Sequence, residues 1–127
     1  MALRAADSSY QQIDALIEPG TEQPVAQEAP GSEASLLAWD ELGRQGRRYL
    51  TFAPQADDIE AIMDGEAQDA LRVYVGMNSA PTPEERAQLA LQELERVGGF
   101  ERSMLVLVTP TGTGWIDPAA MEPLEYL

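Results

Sequence analysis

The stretch from Leu71 to Val108 constrains the fold of this chain more than any other. Leu71-Arg72-Val73-Tyr74-Val75-Gly76-Met77 alternates, which puts Leu71, Val73, Val75 and Met77 on one face of a predicted strand. Asn78 to Pro81 turns the chain. Thr82-Pro83-Glu84-Glu85 then carries three helix-start signals: Thr82 as cap, Pro83 at the first helical position and Glu85 to close a capping box. The helix is predicted to run to about Val97, burying Ala87, Ala90, Leu91, Leu94 and Val97, until Gly98-Gly99 stops it. Met104 to Val108 is a continuous apolar run, the pattern of a strand covered on both faces. Strand, helix, strand reads as a right-handed βαβ unit with parallel strands, so the expected fold class is α/β.

The flanks read differently. In residues 1–34 one arginine opposes six acids, and Pro19, Gly20, Pro24, Pro30 and Gly31 interrupt the chain. One-signed charge and low hydrophobicity do not offset the entropy of ordering, so 1–34 is expected to be a flexible, disordered acidic linker. A short docking helix is the one exception, with Ile13, Leu16 and Ile17 at helical spacing after a Ser8-Ser9 cap. Residues 35–127 are expected to form the folded part. Ala56 to Met63 reads as a short helix with Ile59, Ile62 and Met63 on one face and Asp57 and Asp58 in its first turn. Asp117-Pro118 starts a last helix through Ala119, Ala120, Met121 and Leu124. Pro123 inside it costs about 3 kcal/mol unless the helix is kinked or short. Two parallel strands and one helix make a thin core. The chain is therefore expected to be a piece of a larger α/β protein, truncated at Leu127. The other reading is a small α/β domain with a third strand near Tyr49 to Phe52.

Composition excludes much chemistry. Among 127 residues there is no cysteine and no histidine, and all eight basic residues are arginine. No disulfide, thiolate nucleophile or Cys/His zinc site can form. A self-contained Ser-His-Asp triad, a Schiff-base lysine and a Walker-type phosphate loop are equally out of reach. A net charge of −14 argues against nucleic acid and against an anionic membrane surface as partners. The longest apolar run, Met104 to Val108, is far shorter than the roughly 20 residues that span a bilayer, so the chain by itself is expected to be soluble. No cofactor and no metal are implied. A site at Asp57, Asp58 and Asp64 would need a loop where a helix is predicted.

Thr109-Pro110-Thr111-Gly112-Thr113-Gly114-Trp115-Ile116-Asp117 follows directly on the apolar run. In open α/β sheets, ligands bind outside the carboxyl ends of the strands, and a Gly-x-Gly loop there lets backbone N–H groups approach an anion. A dinucleotide fingerprint would need a third glycine where Asp117 stands. Two readings remain open: a loop that supplies donors to an oxyanion, or a tight turn with Trp115 packed beneath it. Arg44, Arg47 and Arg48 offer two readings, a site for a carboxylate or phosphate or a solvated patch that pairs with this chain's acids, and the patch is favoured. Glu84 and Glu85 belong to a helix N-terminus, and Glu93 and Glu95 to a solvated helix face. Trp39 and Trp115 read as core or interface residues. None of the serines lies in Gly-x-Ser-x-Gly, so a nucleophile elbow is missing.

Several segments together resemble a bacterial α/β-hydrolase family of multi-pass membrane proteins. Trp39-Asp40-Glu41-Leu42-Gly43-Arg44-Gln45-Gly46-Arg47-Arg48 resembles the opening of its catalytic domain, and Arg72-Val73-Tyr74-Val75-Gly76 its first clear strand. Thr82 to Ala87 and Leu91 to Arg96 resemble the following helix. Val108 to Ala120 is the most similar segment, and Leu124-Glu125-Tyr126-Leu127 also fits. The resemblance covers residues 36–127. It implies that 35–127 is the N-terminal portion of a hydrolase-like catalytic domain with a partial three-layer sheet. The parent would be membrane-anchored through transmembrane helices missing here. Its implied function is serine-dependent hydrolysis of an unknown small-molecule ester or acyl substrate. Thr111, Gly112, Thr113, Gly114 and Trp115 would occupy the oxyanion loop, where one donor contributes roughly 3 kcal/mol in the transition state. Nucleophile, acid and histidine would lie beyond Leu127, so the chain alone is expected to be inactive. The alternative from another class is a small acidic module that binds a partner protein and has no catalytic activity.

Overall fold

The computed structural model of the chain describes residues 9–127, so Ser8 of the expected cap lies outside the described residues. Its elements are α1 (Gly43–Phe52), α2 (Ala56–Glu60), α3 (Pro83–Arg96) and α4 (Pro118–Glu125). Single 3₁₀ turns occupy Trp39–Glu41 and Gly99–Glu101, and residues 9–14 are also helical. Among the described residues there is no strand, so the predicted βαβ unit and its parallel sheet do not form.

The core lies at the start of α1. Leu37, Trp39 and Leu42 are buried, with Leu50, Val73, Val75 and Leu89 packed around them. The Trp39 indole N–H donates to the Thr21 carbonyl at 2.9 Å, which brings the front segment onto the core. Gly31 passes so close to the indole that a Cβ there would lie 2.4 Å from Trp39 Cε3. Ile13, Leu16 and Ile17 stay substantially exposed, so this segment does not dock through them. Its backbone docks instead. Arg47 donates to the carbonyls of Asp14 at 2.6 Å and Leu16 at 2.8 Å, and to those of Asp40 and Trp39 at 3.2 and 3.4 Å.

Arg47 therefore corrects the reading of the basic cluster as a solvated patch, because its side chain is fully buried. A guanidinium presents five donors in a rigid fork, which suits four converging carbonyls. Burial pulls its pKa below the ordinary value, and the nearby charges of Asp14, Glu18 and Asp40 oppose that shift. Arg48 is the member that pairs in solvent, 3.6 Å from Glu18. The conjectured third strand near Tyr49 to Phe52 is the last part of helix α1.

Helix α3 starts as its sequence dictates. Thr82 Oγ1 accepts from the Glu85 N–H at 3.2 Å, and the Glu85 carboxylate accepts from the Thr82 N–H at 3.1 Å. The buried face differs from the prediction. Leu89 packs on the core, whereas Leu91 is exposed. Glu93, expected on a solvated face, has no exposed surface. It accepts from Ser35 Oγ at 2.5 Å, the Leu36 N–H at 3.0 Å and the Arg96 guanidinium at 2.7 and 2.8 Å. Burial pushes its carboxyl up, but these donors outweigh that effect and hold it below the ordinary range. The carboxylate ties α3 to the chain just before the core, and this explains why the charged face turns inward.

The two expected strands fail to pair for different reasons. Residues 71–76 form no regular element and are used on both faces: Val73 and Val75 pack on the core, while Tyr74 and Arg72 bind the loop and α4. The Gly76 N–H, a ladder donor in a strand, is taken by Ser79 Oγ at 3.1 Å. Residues 104–107 make no backbone hydrogen bond to residues 71–77, and Met104, Leu105, Val106 and Leu107 are between 48% and 94% exposed. Without such bonds there is no ladder, and even a paired two-stranded unit is marginal. Helix α2 ends at Glu60, three residues early, which leaves Ile62 and Met63 exposed. Pro123 sits in the last turn of the eight-residue α4, so the helix is short, the condition under which proline is tolerated there.

Candidate functional site

The loop Thr111–Trp115 forms a closed turn. The Gly114 N–H donates to the Thr111 carbonyl at 2.8 Å, and the Thr111 N–H to the Trp115 carbonyl at 3.1 Å. Gly114 has φ +81°, a left-handed conformation that a side chain resists. A second reason fixes glycine there: a Cβ would lie 2.5 Å from the Tyr74 hydroxyl oxygen. That hydroxyl donates to the Gly114 carbonyl at 2.6 Å. Tyr74 is buried at 7% exposure, and burial followed by the Asp14 charge pushes its pKa up to about 12. The anchor therefore keeps its proton through the neutral range. Thr111, Gly112 and Thr113 stand in solvent, and the backbone N–H groups of Gly112 and Thr113 have no partner among the described residues. The turn thus consumes two donors and leaves two free at its tip.

Beside the loop is a cavity of about 300 Å³. Tyr49 and Phe52 of α1, Trp115 at the end of the loop, Ile116 after it, and Met121 of α4 are among the residues that line it. Trp115 is 43% exposed, so it walls this cavity rather than being packed beneath the turn. Glu125, which also lines the cavity, accepts from Arg72 through both carboxylate oxygens, at 3.0 and 2.5 Å, and Arg72 also reaches the Pro54 carbonyl. Both side chains are only 9% exposed. Burial, then the Glu125 charge, raises the pKa of the neighbouring Tyr49, and Arg72 works in the opposite direction.

Of the residues singled out from sequence, the structure gathers all five loop positions into one turn. It places Arg47 and Glu93 in structural roles elsewhere. Tyr74, Tyr49 and the Arg72–Glu125 pair were not foreseen as parts of this region. The strand alternation assigned Tyr74 to the outward face, and that face meets the loop. No local pattern joins Arg72 to Glu125 across 53 positions.

Residues 71–127 match the protein family described as "Alpha/beta-hydrolase family". Residues 1–54 match the family described as "Alpha/beta-hydrolase family N-terminus". The two matches fall in order on one chain and leave only 55–70 between them. Both matches are to one alpha/beta-hydrolase family, and together they take in most of the chain. No curated protein and no solved structure gives a significant match. Among the described residues no helix is long and apolar enough to cross a membrane.

Proposed function

We propose that this chain is part of a serine hydrolase acting on ester or acyl substrates and that Thr111–Trp115 is its oxyanion loop. One observation carries the reading: the turn presents the unpartnered N–H groups of Gly112 and Thr113 while Tyr74 fixes its far side through Gly114. Preorganised backbone donors of this kind stabilise the charge that develops on a carbonyl oxygen under attack. The family matches support the same assignment. The chain holds no histidine and no Gly-x-Ser-x-Gly, so nucleophile and base come from residues outside these 127. The parent is proposed to be membrane-anchored through apolar helices that are likewise outside them.

The genomic DNA on either side of the reading frame provides the test. A frame that continues into Gly-x-Ser-x-Gly and a histidine, with apolar helices encoded upstream, is the expected result. In that full-length protein, Gly112→Pro removes one N–H and lowers kcat for a p-nitrophenyl ester about 100-fold with KM nearly constant. A stop codon directly after Leu127 would overturn the reading, as would a Gly112→Pro enzyme with unchanged kcat. The isolated chain should hydrolyse the ester no faster than its Gly112→Pro, Gly114→Pro variant.

A further inference from the structure

We propose that the cavity beside the loop is the subsite for an uncharged aromatic group of the substrate, and that it favours the neutral ester over the carboxylate product. This rests on the hydrolase reading of the loop. The volume, about 300 Å³, is at the small end of ligand sites and suits a single ring with a short substituent. Three of its walls are the rings of Tyr49, Phe52 and Trp115, to which Met121 adds a polarisable thioether. Trp115 belongs to both structures: it ends the oxyanion loop and faces the cavity. A ring held there lies against Trp115, the last residue of the loop.

Charge decides between ester and acid. Two charged residues of the lining have partners: Glu125 is paired with Arg72, and Arg48 lies 3.6 Å from Glu18. Glu122, an exposed residue of the lining, has no ion pair among the described residues. The unpaired charge of the lining is therefore negative, on a chain of net charge −14. An anionic product is repelled from such a lining, whereas a neutral ester is not. The Tyr49 hydroxyl, with its pKa raised, stays protonated and adds no negative charge to the wall.

The test uses the chain as it is, labelled with ¹⁵N. Its two tryptophans give two indole N–H resonances. Trp39, buried and bonded to Thr21, reports the fold, and Trp115 reports the cavity. Methyl phenylacetate should move the Trp115 resonance saturably and leave Trp39 in place. Phenylacetate should bind at least tenfold more weakly at low salt, and methyl cyclohexylacetate at least threefold more weakly. Phe52→Ala, at a half-exposed position, should weaken the ester at least threefold. If that variant also moves Trp39, Ile116→Ala is read in its place. No saturable shift, equal movement of Trp39 or equal affinity for the acid would each overturn the proposal. So would equal affinity for the saturated ring. None of these outcomes depends on hydrolysis, so the loop reading stands or falls on its own test.

Discussion

Residues 35–52 and residues 100–110 use apolar side chains in opposite ways. The first segment has three arginines and two acids, yet it supplies Leu37, Trp39 and Leu42 to the core and buries Arg47 outright. The second contains the most apolar run of the chain, and Leu107 in that run is 94% exposed. Hydrophobicity alone does not make a core; a surface must lie opposite. Around Trp39 that surface is assembled by polar bonds that bring distant segments together. Arg47 holds residues 14 and 16, Glu93 holds 35 and 36, and the Trp39 indole holds 21. Residues 104–107 have no such tie. In this small chain the buried charges decide which apolar residues find each other.

The comparison breaks most readily at Arg47. Arg47→Met keeps the apolar stem and removes the donors to four carbonyls. It should lower unfolding stability by about 3–5 kcal/mol, measured as a fall in the urea midpoint. Arg47→Lys should recover only part of the loss, because an ammonium cannot span two pairs of carbonyls at once. A variant as stable as the parent would mean that the front segment is not held by these bonds.

Glu93 should come next. Glu93→Ala leaves Ser35, Leu36 and Arg96 without their acceptor. A loss of about 3 kcal/mol is expected, at the lower end because Arg96 is partly exposed and can turn to water. The pH dependence follows from the direction of its pKa. The folded value lies below the unfolded one, near 4.3. Its contribution is therefore complete above the unfolded value and is lost as pH falls through the folded value. Urea titrations between pH 7 and pH 3 should show a steeper acid loss in the parent than in Glu93→Gln. Identical slopes would place the acid transition elsewhere.

The loop anchor is a smaller effect. Gly114→Ala combines a positive φ with the close approach of the Tyr74 hydroxyl, and about 2 kcal/mol should be lost. Tyr74→Phe removes only the bond to the Gly114 carbonyl and should cost about 1 kcal/mol. The folded pKa of Tyr74 is raised, so its contribution is present below the ordinary tyrosine value and fades as pH rises through about 12. Thermal unfolding at pH 7 should rank the two variants in that order.

Sequence made some of this legible and not the rest, for a physical reason. Local rules held wherever the partners are neighbours. The Thr82–Glu85 capping box, the Asp117 cap followed by Pro118, and the stop at Gly98 all appear as read. The region around Gly112 and Gly114 was recognisable as a loop because glycine spacing is a local signal. What failed depends on distant partners. Periodicity put Leu91 inside and Glu93 outside, and one long-range bond set from Ser35 and Leu36 reverses that face. Alternation in 71–77 was read as a sheet strand, but a strand is defined by its neighbours, and this segment spends its contacts on the core, the loop and α4. The anchor Tyr74 and the pair Arg72–Glu125 are likewise products of packing, without a motif of their own.

Leu107 offers the sharpest contrast at the smallest scale. Most core leucines cost about 2–5 kcal/mol when truncated, since their burial and packing are lost together. Leu37, at 1% exposure, belongs to that class. Leu107 does not, and Leu107→Asn should change stability by less than about 0.5 kcal/mol while reducing self-association. Urea midpoints together with sedimentation velocity would measure both. A large destabilisation would show that residues 104–107 are buried in solution, and the difference between the two halves of the molecule would vanish. An unchanged midpoint would leave Leu107 as an apolar residue that this chain carries without using it for its own folding.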